Sequence, residues 1–290
     1  MLSLPEIRNI VVSIFTQFLA KQPLMHGAAL AYYALLALVP VLYLSITYIG
    51  GLVGQDVIIG LITELLHDRV GIDDVSGIIS FLDNVDVAES SVVLQLVGVL
   101  TLMFSCSVIF NSLKKSINIF YGIEKTKIGR KRMIIRSVLS RLISMSFIVG
   151  FTVLAVVIYF AETVFLSIGH DFFRDVELVN WVFSSFARHG IPVLTNLIVF
   201  SFIFKYLHDG KVVWKMAIIG GVLTSLLLYF GQLALKYYLT NYFFAANGGG
   251  AGAMLLILVW VYYSSQIIFL GAEFISVLSK VKGVPIKFRD

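Results

Sequence analysis

The chain has 290 residues, 59% of them hydrophobic and only 13% charged. Soluble domains carry about 25% charged and about 45–50% apolar residues; a soluble fold of this length has no interior large enough for the excess, so lipid is the expected solvent for much of the chain. The net charge of +5 suggests nucleic acid in a soluble protein, whereas in a membrane protein the expected source is a basic cytoplasmic face.

The N-terminal stretch MLSLPEIRNIVVSIF lacks the basic region and small-residue cleavage site of a removable signal peptide, so the first span is expected to act as the insertion signal. Leu4, Ile7, Val11, Ile14 and Phe18 recur at steps of three or four, the stripe of an amphipathic helix that Lys21-Gln22-Pro23 ends. Such a helix lies either on the cytoplasmic membrane surface or against the protein's own inner face.

A spanning helix needs about 20 mostly apolar residues. Runs at 29–53, 92–111, 138–161, 191–207, 214–235 and 251–277 qualify, which predicts an all-α membrane protein with six transmembrane helices in a single domain covering 1–290. Pro192 is expected in the first turn of the fourth span, where proline is tolerated. Cys106, the one cysteine, falls inside the second run and excludes an intrachain disulfide. Lys and Arg fix the direction: 18 of the 22 lie in 1–28, 112–141, 205–215 and 278–290. The 54–91 and 162–190 segments instead hold eight and four acidic residues. Both termini are therefore expected in the cytoplasm. Outside, Val75, Ile78, Ile79, Leu82 and Val85 form one helical stripe, and Val176, Val179, Phe183 and Phe186 another, which predicts short external helices.

The most basic stretch includes Lys125, Lys127, Arg130, Lys131, Arg132 and Arg136. These are candidates for contact with anionic lipid headgroups, or they only enforce topology. Nucleic acid is not expected as a partner, because no stacking platform or binding-fold signature accompanies the charge.

Ionisable groups within spans are costly, so each needs a reason. Glu273 lies near the cytoplasmic end of the last span, at a depth similar to Arg141 and Lys205, so a Glu273–Arg141 or Glu273–Lys205 pair is expected, either as a gate or as a structural pin. Ser264, Ser265 and Gln266, deeper in the same helix, suit hydrogen bonds between helices or contact with a substrate. Tyr32 and Tyr33 in the first span read as interfacial aromatics or as part of a path. Pro40, in mid-span, removes a backbone bond and predicts a kink that serves hinge motion or packing. The candidate substrate or gate set is thus Tyr32, Tyr33, Pro40, Arg141, Gln266 and Glu273. Gly248, Gly249, Gly250 and Gly252 form a candidate hinge at the outer end of the last span, with a close helix contact or an anion nest as alternatives.

An enzyme is not expected. His26, His67, His170, His189 and His208 are scattered without metal-ligand spacing, no GxSxG or P-loop occurs, and neither a cofactor nor a metal site is predicted.

GAALAYYALLALVP (27–40), NSLKKSINIFYGIE (111–124) and AANGGGAGAMLLILVWVYYSSQIIFLGAEF (245–274) resemble the YihY/BrkB family of bacterial inner-membrane proteins. The resemblance rests on Tyr32, Pro40, Asn118, Tyr121, Gly249, Trp260, Gly271, Ala272 and Glu273, and implies a six-helix fold in the bacterial cytoplasmic membrane. The family has carried a label as a tRNA-processing ribonuclease and an association with virulence and serum resistance. No acid/base pair or metal cluster here supports the nuclease label. The expected function is a transporter or flippase-like protein for a lipid or amphiphilic anionic substrate, the partners being membrane lipids at the cytoplasmic face. The alternative is a non-transporting envelope scaffold; a membrane-bound ribonuclease is the remotest reading. Oligomeric state is left open.

Overall fold

The computed structural model describes residues 4–44, 54–70, 92–123, 177–242 and 249–288, with isolated positions at 150, 157, 161, 164, 165 and 169. The described chain runs as helices α1 (Leu4–Ala20), α2 (Pro23–Leu44), α3 (Gln55–Val70), α4 (Val92–Phe120) and α5 (Glu177–Tyr206), then strand β1 (Gly210–Lys211), helices α6 (Trp214–Tyr242) and α7 (Gly249–Val281), and strand β2 (Lys287–Phe288). Among the described residues, three helical stretches are long and apolar enough to cross a membrane: Ser185–Tyr206, Trp214–Tyr238 and Met254–Val281. They coincide with the fourth, fifth and sixth expected spans. The first run begins within α2, whose Pro23–Leu38 part is a shorter apolar helix, and the second lies within α4. Most of 138–161 lies outside the described residues, as does the stripe Val75–Val85.

Two expectations need correction. The external stripe around Phe183 and Phe186 is not a separate short helix: it continues into the fourth span as one helix of 30 residues, with Pro192 in its interior rather than its first turn. A proline there removes one backbone bond at a cost of about 3 kcal/mol, which the apolar turns on either side offset through burial of Phe183, Ile191 and Phe200. Helix α3 has no counterpart among the expected elements, because acids and a glycine interrupt its apolar residues and blur the period.

The chain divides into two units. The first comprises Met1–Lys21, Lys114–Tyr229 and Ile268–Asp290; the second comprises Gln22–Leu113 and Phe230–Ile267. In the first unit α5, α6 and α7 meet through small residues. A Cβ on Gly220 would strike Ile275 Cδ1, one on Gly221 would strike Ser201 Oγ, and one on Gly271 would strike Thr224 Oγ1. Close backbone approach of this kind is what packs helices where lipid removes the hydrophobic drive between them. Phe120, Phe204, Phe269, Ile117 and Ile275 are fully buried around these contacts, and the rings of Phe120 and Phe269 stack 4.9 Å apart.

Two helices of this unit end in the same way. At the end of α4, Ile123 N donates to Asn118 O (2.9 Å) and Gly122 N to Ile119 O (3.0 Å), with Gly122 at φ 68°. At the end of α7, Val284 N donates to Ser279 O (2.9 Å) and Gly283 N to Lys280 O (3.1 Å), with Gly283 at φ 69°. Both are Schellman caps, which need a left-handed residue after the helix and so favour glycine. The second cap turns the chain into β2, which pairs antiparallel with β1, Gly210 opposite Phe288 and Lys211 opposite Lys287.

In the second unit, a Cβ on Gly27 of α2 would collide with Gln266 Nε2 of α7, and one on Gly231 of α6 would collide with Tyr263 Oη. Gln266 Nε2 donates to Pro23 O at 3.2 Å. Of the polar cluster of the last helix, Gln266 therefore joins α7 to α2, whereas Ser265 Oγ donates to Tyr262 O of its own helix.

Candidate functional site

Helix α1 divides its apolar residues between two sides. Ile14 is buried and Phe18 sets its ring 5.7 Å from Phe120, whereas Ile7, Val11, Val12, Phe15 and Leu19 are exposed. Of the two placements expected for this helix, packing on the protein accounts for the first side. Lys21 follows Ile14 and Phe18 at the next helical step, on the packed side. Gln22 then takes a left-handed backbone, φ 51°, and Pro23 begins α2.

This turn delivers Lys21 into the first unit's core. Its Nζ donates to Glu273 Oε2 at 2.6 Å and to Phe120 O at 2.9 Å, with the ammonium 6.0 Å from the Phe120 ring centre. The Glu273 side chain is 0% exposed and that of Lys21 20%. Glu273 Oε1 is buried with no hydrogen-bond partner among the described residues, as are Ser201 Oγ, Thr224 Oγ1 and Ser276 Oγ of the same unit. An ionised carboxylate accepts about four hydrogen bonds; this one holds a single cation on one oxygen.

Among the described residues, the ion-pair partner of Glu273 is thus Lys21. The expected partner Lys205 is engaged elsewhere: its Nζ donates to Val212 O at 2.5 Å and lies 5.6 Å from the Trp214 ring centre. Arg141, the other expected partner, lies outside the described residues.

A polar clasp on the same unit ties the turn after α5 to the end of α4. Asn118 Nδ2 donates to Asp209 Oδ2 (2.8 Å) while Asp209 N donates to Asn118 Oδ1 (2.9 Å). Lys114 Nζ adds an ion pair to Asp209 Oδ1 at 2.8 Å. Beside it, Gly210 N donates to His208 Nδ1 at 2.9 Å, which leaves Nε2 as the donor to Phe204 O at 2.7 Å. Tyr121 Oη donates to the same carbonyl at 3.3 Å, its ring edge-on to His208 at 4.6 Å. Tyr121 is buried, and burial pushes its phenol well above the usual value, so the hydroxyl stays a donor.

Of the other expected site residues, Tyr32 and Tyr33 lie in the second unit with rings 5.8 Å apart; Tyr32 is 57% exposed. Gln266, also in that unit, has Oε1 buried without a partner among the described residues, together with Trp260 Nε1 and Ser264 Oγ. Pro40 lies within α2. Gly249, Gly250 and Gly252 fall in the first turn of α7, already helical. Gly248 lies outside the described residues, as do Lys125, Lys127, Arg130, Lys131, Arg132 and Arg136. Sequence reasoning missed Lys21, His208 and Asp209. The one available signal was the continuation of the Ile14–Phe18 row to Lys21.

The family model described as virulence factor BrkB matches residues 14–288. A UPF0761 membrane protein of Psychromonas ingrahamii is 25% identical over 118 residues, 37% of this chain and 40% of the relative; the match thus spans well under half of that protein's length. No solved structure matches.

Proposed function

The chain belongs to the virulence factor BrkB family and is a bacterial inner-membrane protein, and from that premise we propose that it moves a lipid or other amphiphilic anion across or between the leaflets of that membrane. The observation that supports this reading is the buried Glu273 carboxylate, ionically held through one oxygen by a partly exposed Lys21 while the other oxygen lacks a partner among the described residues. Intramembrane charges are retained at a cost of a few kcal/mol, which a substrate or ion path justifies. An anionic headgroup that reaches Lys21 competes with Glu273 for the ammonium. The displaced carboxylate is then left without an ion-pair partner among the described residues in a buried site, a state that favours uptake of a proton. Anion movement and proton uptake are linked through one residue pair.

A second reading, a non-transporting scaffold, draws on the contacts of Gly220, Gly221 and Gly271, which leave no room for a methyl group between α5, α6 and α7. One experiment separates the two. Purified protein is reconstituted into vesicles containing fluorescent phosphatidylglycerol or phosphatidylcholine, and dithionite bleaches the outer leaflet. Transport predicts bleaching beyond the outer-leaflet fraction, larger for the anionic lipid and reduced in Lys21→Gln. If protein-containing vesicles match protein-free ones for both lipids, transport of lipid is wrong and the scaffold reading stands.

A further inference from the structure

Helices α5 and α6 each leave an apolar row uncovered at every fourth residue: Leu194, Ile198 and Phe202 on α5, and Trp214, Ile218 and Val222 on α6. The rows converge at one end, where the Trp214 ring meets those of Phe202 (5.5 Å) and Tyr206 (5.7 Å) edge-on. Tryptophan and tyrosine at the end of an apolar row mark the headgroup level of a bilayer.

At that level the chemistry changes sign and type. Lys205 lies over the Trp214 ring, and Lys211 and Lys215, on either side of Trp214 in sequence, are exposed. Among the described residues, Asp209 pairs with Lys114 and Glu273 with Lys21. Among the described residues no carboxylate forms an ion pair with Lys211 or Lys215. In addition, β1 and β2 set Lys211 directly opposite Lys287. Like charges facing each other across an antiparallel pair are destabilising, and a bound anion removes that repulsion.

We propose that this corner is a binding site for an anionic phospholipid of the adjoining leaflet. Lys211, Lys215 and Lys287 hold the phosphate, Trp214 and Tyr206 meet the glycerol region, and the acyl chains lie along the two uncovered rows. An oily groove ending in an aromatic and then in lysines that form no ion pair among the described residues matches the order of parts in such a lipid. The site does not rest on the transport reading, since a scaffold would hold the same lipid.

The test uses the full-length protein in neutral detergent, with native mass spectrometry and thermal unfolding, titrated with phosphatidylglycerol, phosphatidylcholine or inorganic phosphate. Phosphatidylglycerol is expected to bind and to raise Tm more than phosphatidylcholine does, and phosphate alone to do neither. The double change Lys211→Gln/Lys215→Gln weakens phosphatidylglycerol about tenfold or more, whereas Lys280→Gln/Lys282→Gln, an equal loss of charge elsewhere, leaves it within about twofold. Lys287→Gln raises the Tm of lipid-free protein and shrinks the gain from lipid, a readout independent of the double variant's folding. Equal weakening by both double variants means diffuse attraction and overturns the site. So does equal binding of the two lipids, or an equal effect of inorganic phosphate.

Discussion

Lys21, just past the end of the first helix, and Glu273, in the last, meet at 2.6 Å across 252 residues of sequence. The geometry is one-sided: the carboxylate is wholly buried, and the ammonium reaches it from a partly exposed position while also serving Phe120 O.

That asymmetry predicts unequal effects of the two single changes. Lys21→Met leaves a buried carboxylate without an ion-pair partner among the described residues, at a cost of about 3 kcal/mol, the low end of the range for breaking a buried pair because Lys21 is partly exposed. Glu273→Gln leaves the ammonium Phe120 O and access to water, so about 1–2 kcal/mol is expected. The double variant should lose less than the sum. Thermal unfolding in detergent checks the order; equal losses that simply add would show the two groups to be independent.

The clasp on Asp209 makes a contrasting prediction. Its side chain is 38% exposed, so the Lys114 ion pair is worth less than about 1 kcal/mol. The reciprocal bonds to Asn118 are better shielded. Asn118→Ala should therefore destabilise by about 1–3 kcal/mol and open the 207–213 turn to limited proteolysis, whereas Lys114→Gln should barely change the cleavage rate. A faster cleavage in Lys114→Gln than in Asn118→Ala would invert the assignment.

How far the sequence led differs from element to element. The last three apolar runs are where lipid-length helices form, because a run of apolar residues is a local signal. Glu273 stood out for the same reason: one acid in an oily helix is conspicuous. Its partner did not, because Lys21 sits where a helix stops and a basic residue there reads as an end signal. Lys205 seemed nearer only by depth, and depth does not say which way a side chain turns. Lys205 turns toward Val212 and Trp214. The α1 period located a stripe but not its division, since Ile14 and Phe18 on one side and Val11 and Phe15 on the other follow the same apolar rule. Of the residues that carry the family likeness, Asn118, Tyr121, Gly271, Ala272 and Glu273 lie in the first unit, and Tyr32, Pro40, Gly249 and Trp260 in the second.

Gly271 gives a packing prediction. A methyl group there strikes Thr224 Oγ1 and comes within 3.0 Å of Phe204 Cζ. Gly271→Ala should cost about 1–3 kcal/mol through overpacking, more than the helix propensity of alanine returns. Adding Thr224→Ala removes the nearer obstacle and an oxygen that has no partner among the described residues. The double variant should therefore recover part of the lost Tm. No recovery would place the strain at Phe204 instead.

Tyr121 supplies the pH dependence. Unfolded tyrosine titrates near pH 10, while burial holds the folded phenol well above that. Between those two values the unfolded chain binds fewer protons than the folded one, so stability falls as pH rises. The contribution is intact below about pH 9 and declines above about pH 10. Tyr121→Phe deletes the titrating group. At neutral pH it should cost no more than about 1 kcal/mol, since the bond to Phe204 O is long at 3.3 Å. Above about pH 10 its Tm should fall less steeply than that of the wild type, because the mismatch in proton binding is gone. Lysines titrate in the same range in both proteins, so the difference in slope, not either slope alone, measures Tyr121. Parallel slopes would mean that water reaches the phenol in the folded protein.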